Sequence, residues 1–480
     1  MAGSRQHRRS RRESSSRHEN IALEDSISPP SKAHVSHEKK HHHILPTHNH
    51  NGHKVTKHIK PEGESGRRGI NPLHFFKIAW RSASDASRAV NVLWPVVPAA
   101  IAVRYAKPDM HLTIFVLNYI AMVPCANLIG FAGQELARKL PKVFGVLLET
   151  TLGSVVEIIL FMVLLRHDDF PVIQAAILGS ILATQLLCLG LCFFAGGMRR
   201  DEQEFDEAVS EVGSGLLLTA GFGLIIPAIF YQGVRQLEYI GDGALRAKTV
   251  DVSRITSIFL ICAYMIYVWF QMRTHHGIYD AIFEQDELND ADRHKDLRKD
   301  KLTFTECILA LAVSIALVSI VAISLVEQIP FIVEERGVSD LFMGLILVPL
   351  VEKFAEHLTA IDEAWDNQMN FALSHVLGAT IQTALFNAPL VVIVGWGLGK
   401  QMDFNFDVFS LVSLILAILV VGNFLRDQKS NYLEGALCVI VYCIIAVAAF
   451  YFPNNPAHGG GATESSAGSE GTAAAHRMMM

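Results

Sequence analysis

The sequence contains few cysteines, and they form no pattern that would bind a metal ion or build disulfides. Only 7 of the 480 residues are cysteine. All seven lie inside long apolar runs, where a free thiol packs as a small apolar side chain. Their spacing therefore predicts neither a disulfide framework nor a zinc site. They are Cys125, Cys188, Cys192, Cys262, Cys307, Cys438 and Cys443.

Also missing is the apolar core of a secretory signal peptide, which does not occur in the first 70 or so residues. This segment is rich in Arg, Ser and His instead, and twelve of the 21 histidines precede Phe75. Its low hydrophobicity predicts that residues 1–88 form a disordered, basic, His-rich tail. A solvated tail is the simpler interpretation of the tract at His41, His42 and His43, and weak metal buffering is the alternative.

Long apolar runs make up most of the remaining chain, and 51% of all residues are hydrophobic. About 20 consecutive apolar residues suffice to cross a hydrocarbon core about 30 Å thick. The pattern predicts an all-α polytopic membrane protein with about eleven transmembrane helices. The predicted spans are residues 89–106, 112–133, 143–165, 171–197, 209–232, 253–272, 305–327, 340–364, 369–398, 406–425 and 432–452.

Charges outside the spans predict the orientation. Residues 1–88 carry 17 Lys and Arg against 8 Asp and Glu, whereas the rest of the chain carries 24 against 39. The basic short loops fall on the same side as the tail, which predicts a cytosolic N-terminus and, with eleven spans, a lumenal C-terminus. The loop residues are Arg138, Lys139, Lys142, Arg199, Arg200, Arg426 and Lys429.

The chain contains an internal repeat with a constant offset of 199 residues. This offset pairs Glu157 with Glu356 and Gly179 with Gly378 without a gap. Five helices separate the copies, so the second crosses the membrane in the opposite direction. Inverted repeats bring their mid-membrane segments together around the transport site of secondary transporters.

The repeat divides the chain into five segments. The predicted boundaries are a tail over residues 1–88, an extra helix plus the first repeat over 89–272, an acidic mixed-charge cytosolic linker over 273–304, the second repeat over 305–452, and a disordered tail over 453–480.

Several charged residues lie at membrane depth, where each costs about 2.5–3.5 kcal/mol on insertion scales and normally faces a cavity or a partner. Glu149, Gly153 and Glu157 share one helical face, as do Glu352 and Glu356. The neighbouring pair Lys353 and His357 is expected to modulate them, with Lys353 as a fixed cation and His357 more often a packed histidine than a proton relay.

Carboxylates with nearby neutral oxygens suit a hard cation such as Ca²⁺. Close, desolvated carboxylates can also carry protons in the return state, so that one site serves both ions. Gly179 and Gly378 are expected either to pack helices closely or to mark broken helices. Candidate neutral oxygens belong to Ser154, Ser180, Thr184, Thr380, Gln382 and Thr383.

An enzymatic zinc site is not expected. The segment from Lys353 to His357 differs from the H-x-x-E-H zinc pattern by one residue. A protonated Lys353 cannot replace the missing histidine as a ligand. The expected partners are the lipid bilayer, cations and protons, with no cofactor and no nucleic acid, and the prediction is compatible with a homo-oligomer.

Two stretches resemble the signatures of the calcium/proton exchanger family, within the cation/calcium exchanger superfamily. They contain GVLLETTLGSVVE, which ends at Glu157, and VPLVEKFAEH, which ends at His357. The segment from Asn431 to Gly435 before the last helix is also similar, and the resemblance covers roughly residues 72–456.

This resemblance implies an eleven-helix fold with an extra first helix, two inverted five-helix halves and an acidic linker. It also implies proton-driven Ca²⁺ export from the cytosol into a vacuole or other internal compartment. Glu157 and Glu356 match the ion-binding glutamates and would be the metal ligands. Further matches are Gln174, Gly179, Ser180, Gly378 and Gln382.

The chain departs from the family pattern ahead of each key glutamate. The family has Gly-Asn there, whereas this chain has Gly153-Ser154 in one copy and Glu352-Lys353 in the other, and Thr184 replaces a family asparagine. Three hypotheses follow. The first is a Ca²⁺/H⁺ antiporter of altered affinity, the second is a monovalent cation/proton exchanger, and the third is a transport-dead regulatory relative.

Overall fold

The computed structural model describes residues 63–67, 69–236, 241–290 and 299–453, without the side chain of Lys142. Most of the predicted N-terminal tail, with its His-rich tract, lies outside the described residues. So does the predicted C-terminal tail after residue 453.

Nine helices in the described part of the chain are long and apolar enough to cross a membrane. The protein is therefore an integral membrane protein built almost entirely from helices. The nine are Asp85–Ala106, His111–Ala137, Val143–Arg166, Phe170–Gly197, Glu207–Arg235, Asp242–Thr274, Phe304–Arg336, Met369–Gly397 and Tyr432–Phe450.

Two further predicted spans are helical but do not meet the same criteria. Val408–Phe424 is apolar and shorter. Residues 340–365 form consecutive helical pieces, Asp340–Phe342, Met343–Leu347, Val348–Glu352 and Phe354–Trp365. Several acidic residues and a break at Lys353 interrupt this second stretch.

The apolar runs locate the helices better than they locate the helix ends. The span predicted to begin at residue 253 begins at Asp242, because the polar residues before the apolar run continue the same helix. Polar residues such as Lys and Arg are good helix formers, so hydropathy alone misses such extensions.

The prediction of disorder up to residue 88 is wrong for its last part. Pro72–Arg81 is a helix whose first turn is capped by the Asn71 side chain. The Asn91 amide donates hydrogen bonds to the carbonyls of Ala79 and Trp80, which fastens this helix to the next one. The linker also contains a helix, His276–Asn289.

Two short strands are the exception to the all-α prediction among the described residues. Gln203–Glu204 pairs antiparallel with Lys429–Ser430. The pair joins the loop after Phe170–Gly197 to the loop after Val408–Phe424. The loop that contains Arg199 and Arg200 and the loop that contains Arg426 and Lys429 therefore lie together, which agrees with their predicted placement on one side of the membrane.

Four helices carry the predicted site, and we name them by their marker residues. The first glutamate helix is Val143–Arg166, and the first glycine helix is Phe170–Gly197. The second glutamate helix comprises residues 340–365, and the second glycine helix is Met369–Gly397. Both glycine helices are largely buried, so they form the centre of the bundle.

Candidate functional site

Each glutamate helix is interrupted three residues before its key glutamate. The first breaks at Ser154, between Lys142–Gly153 and Val155–Arg166, and the second breaks at Lys353. Glu157 and Glu356 thus lie in the first turn of the helical piece that follows each break. The peptide N–H groups in the first turn of a helix carry a partial positive charge, which favours a negative charge there.

The broken-helix prediction for Gly179 and Gly378 is wrong, because both lie inside continuous helix. The widened turns come later, at Ala183–Cys188 and Thr383–Asn387. Gly179 instead allows close packing, since an added Cβ would lie 2.7 Å from Cγ of Pro349. At Gly378 the nearest atom would be 3.7 Å away.

Glu157 is fully buried and fully partnered. Its Oε2 lies 2.7 Å from the Lys353 ammonium. The Thr383 hydroxyl is 3.0 and 2.9 Å from its two oxygens, and the Asn387 amide donates to Oε2 at 2.8 Å. Because all three partners belong to the second half of the chain, this carboxylate fastens the two halves together.

Lys353 also approaches Glu356, at 3.3 Å from Oε2. Neither oxygen of Glu356 accepts a hydrogen bond in the described structure. Its carboxylate lies against the Cα of Gly153, where any side chain would collide with it. A glycine at 153 is therefore required by the position of Glu356.

Glu352 has one oxygen partnered and one free. Ser180 on the first glycine helix donates a hydrogen bond to Oε1. Oε2 has no partner among the described residues, although Glu352 is only 1% exposed. A buried carboxylate oxygen without a donor is costly unless a proton or a cation binds to it.

A central cavity of about 570 Å³, counting the space open to solvent, connects these groups. The first glutamate helix contributes Glu149 and Gly153 to its lining, and the first glycine helix contributes Thr184. The Thr184 hydroxyl and His357 Nε2 have no hydrogen-bond partner within the described ranges. The second half supplies Glu352, Glu356, His357 and His375.

Several predicted ligands do not line this cavity, including Glu157 and Ser180 described above, and also Gln174, Gln382 and Ser154. The Gln174 amide donates to Asp403 Oδ1 at 2.7 Å, in the loop after the second glycine helix. Gln382 lines a separate cavity with Gly378. The Ser154 hydroxyl donates to the Thr150 carbonyl, 3.2 Å away within its own helix.

Two titratable residues of the cavity region were missed in the sequence. His375 lies 2.7 Å from Glu363 through Nδ1 and 3.6 Å from Glu149 through Nε2. Glu363 follows Glu356 by two helical turns, so the face shared by the two glutamates was a usable signal. Asn387 was also missed, although it lies one turn after Thr383.

The carboxylates do not form a preassembled metal cage. Across the described residues, no group of three or more His, Cys, Asp or Glu side chains is arranged to hold a metal ion.

Comparison with known proteins gives a consistent result. The model of the sodium/calcium exchanger protein family matches residues 110–273 and 307–451. A relative named vacuolar cation/proton exchanger 2, from Oryza sativa subsp. japonica, is 33% identical over 77% of this chain and 85% of its own length. The vacuolar calcium ion transporter of Schizosaccharomyces pombe is 31% identical over 71% of this chain and 80% of its own length.

A solved structure with a similar fold is that of selenium-substituted YfkE, described as a Ca²⁺/H⁺ antiporter protein. It superimposes with a TM-score of 0.61 at 26% identity, covering 75% of this chain and 99% of the other.

Proposed function

Because this chain belongs to the sodium/calcium exchanger protein family, we propose that it is a secondary active antiporter that exchanges Ca²⁺ for protons. The observation that carries the proposal is the central cavity, in which Glu352 Oε2 and Glu356 Oε1 have no hydrogen-bond donor among the described residues. Groups of this kind bind a hard cation in one state and protons in the other.

The proposed architecture has eleven spans, namely the nine long helices, the second glutamate helix and Val408–Phe424. The first span is extra, and the others form two inverted five-helix halves. Support comes from the breaks at Ser154 and Lys353, which are 199 residues apart, as are Glu157 and Glu356. Rocking of one half against the other would expose the cavity alternately to the two sides.

The proposed direction is out of the cytosol into an internal compartment, with the N-terminus cytosolic and the C-terminus lumenal. Named relatives support a vacuolar membrane. The cytosolic assignment rests on the positive-inside rule, applied to the Lys and Arg residues of the loops that the two short strands bring together.

Purified protein in lipid vesicles with an acidic interior tests the exchange. Ca²⁺ added outside should enter while protons leave, as reported by a lumenal Ca²⁺ indicator and a pH-sensitive dye. The double variant Glu157→Gln/Glu356→Gln should lose both signals. Glu202→Gln is the control, because Glu202 pairs with Lys429 on a surface loop. Equal uptake by the double variant and the wild type would refute the proposal.

Monovalent exchange is the second candidate, and Lys353 favours it. Its ammonium lies within 2.7 Å of Glu157 and 3.3 Å of Glu356, where it supplies a permanent positive charge. In the same vesicles Na⁺ or K⁺ would then drive proton release while Ca²⁺ would not. A transport-dead regulator would move none of these ions.

A further inference from the structure

We propose that the transported cation binds to Glu352 and Glu356, and that Glu157 is the counter-ion of Lys353 instead of a ligand. This inference rests on the proposed exchange function and specifies its site. It replaces a symmetric pair of glutamates, one from each half, with two carboxylates from a single helix.

The partners of Glu157 leave it little capacity to bind an ion. The Thr383 hydroxyl lies 3.0 and 2.9 Å from Oε1 and Oε2 and shares its one proton between them. Oε2 is also 2.8 Å from the Asn387 amide and 2.7 Å from the Lys353 ammonium. Glu157 is not among the residues that line the central cavity. An incoming cation would have to displace an ammonium and two hydrogen-bond donors.

Glu352 and Glu356 have the opposite properties. Both line the cavity. Glu352 Oε2 and Glu356 Oε1 have no partner among the described residues, and Glu356 Oε2 faces only the Lys353 ammonium at 3.3 Å. Thr184, 2% exposed, presents an unpartnered hydroxyl to the same cavity from the first half. Ser180 adds a hydroxyl at Glu352. The ion would therefore still contact both halves, as alternating access requires.

The charges support a divalent ion. At the matched positions, Gly153 and Ser154 are neutral, and Glu352 and Lys353 together add no net charge. Glu157 balances Lys353, and Glu149 lies 3.6 Å from His375 Nε2. Glu352 and Glu356 then carry a charge of about −2 when ionised. This charge equals that of a site built from one glutamate of each half, but here both charges lie on the second glutamate helix. A divalent, oxygen-preferring cation such as Ca²⁺ matches it.

A double variant distinguishes the proposed site at Glu352 and Glu356 from a site in which Glu157 is a ligand. Ca²⁺ binding to purified protein is measured by titration calorimetry. Glu157→Gln leaves the Lys353 charge unbalanced 3.3 Å from Glu356, so Ca²⁺ affinity should fall about tenfold or more. Glu157→Gln/Lys353→Met removes both charges and should restore affinity to within about threefold of wild type. If Glu157 were a ligand, Lys353→Met would still relieve the repulsion, but the double variant would lack one charged ligand and its Ca²⁺ affinity would stay about tenfold below wild type.

Glu352→Gln provides an independent arm, because it leaves the pair of Lys353 and Glu157 intact. It should weaken Ca²⁺ binding about tenfold or more, whereas Glu202→Gln should not. Thermal midpoints and monodisperse elution check that each variant folds. If the double variant does not fold, the Ca²⁺ affinity of Glu352→Gln alone decides whether the proposed site is correct.

Wild-type affinity in Glu352→Gln, or incomplete rescue in a folded double variant, would overturn the proposed site alone. A wild type that neither binds Ca²⁺ nor exchanges it would overturn the site and the exchange function together.

Discussion

Gly153→Ala should displace the Glu356 carboxylate while changing the stability of the fold only slightly, so its effects on ion binding and on stability can be measured separately. An added Cβ at residue 153 would lie 2.8 Å from both Cγ and Cδ of Glu356, well inside van der Waals contact. Overpacking a rigid core costs about 1–3 kcal/mol. Glu356 is a flexible side chain beside a cavity, so it can move, and we expect a loss of stability below about 1 kcal/mol.

The functional effect should be larger than the structural one. Displacing the Glu356 carboxylate from the cavity removes one of two charged ligands, and we expect Ca²⁺ affinity to fall about tenfold, equivalent to about 1.4 kcal/mol. Titration calorimetry and thermal unfolding of the same preparation measure the two effects. Gly378→Ala is the matched control, because its Cβ would lie 3.7 Å from the nearest atom, Cγ2 of Thr150. Unchanged Ca²⁺ affinity in Gly153→Ala would refute the reasoning.

Three further predictions concern stability. Gly179→Ala should destabilise the fold by about 1–3 kcal/mol, because its Cβ would meet the rigid Pro349 ring and Leu345 backbone; a thermal midpoint equal to that of Gly378→Ala would contradict this. His375→Leu should lower the free energy of unfolding by about 2 kcal/mol, because it removes the donor to Glu363. The control Lys400→Gln breaks an exposed ion pair with Asp168 and should lower it by less than about 1 kcal/mol. Equal denaturation midpoints for the two variants would argue against this prediction. Burial raises the pKa of Asp286 above its ordinary value of 3.8, partly offset by hydrogen bonds from Asn370 and Phe371. The folded state therefore holds this proton more tightly than the unfolded state, and stability should decline as pH rises from 3.8 through the raised pKa. The unfolding midpoint of Asp286→Asn should depend less on pH across this range than that of the wild type. An unchanged pH dependence would show that another group is responsible.

The sequence predicts the helices well because crossing a bilayer imposes a length and a polarity that can be read locally. It also predicts that Glu157 and Glu356 are equivalent in the two copies, and the breaks at Ser154 and Lys353 preserve that spacing. Helix ends are harder to predict, as Asp242 shows, because polar residues extend a helix beyond its apolar run.

The partners of the glutamates could not be read from the pattern. Lys353 is one turn from Glu356 and could have paired with it alone, yet it lies closer to Glu157 on another helix. Gln174 matches the family signature but hydrogen bonds to Asp403. Such choices depend on helix rotation and packing across the bundle, and spacing along one helix does not determine them.

Simultaneous recording of Ca²⁺ and protons in the same vesicles tests the central claim most directly. With a pH gradient imposed and Ca²⁺ supplied outside, the proposed function predicts that Ca²⁺ entry and proton exit begin together in the wild type. Both signals should be absent in Glu356→Gln. Ca²⁺ entry without proton exit, or full exchange by Glu356→Gln, would contradict it.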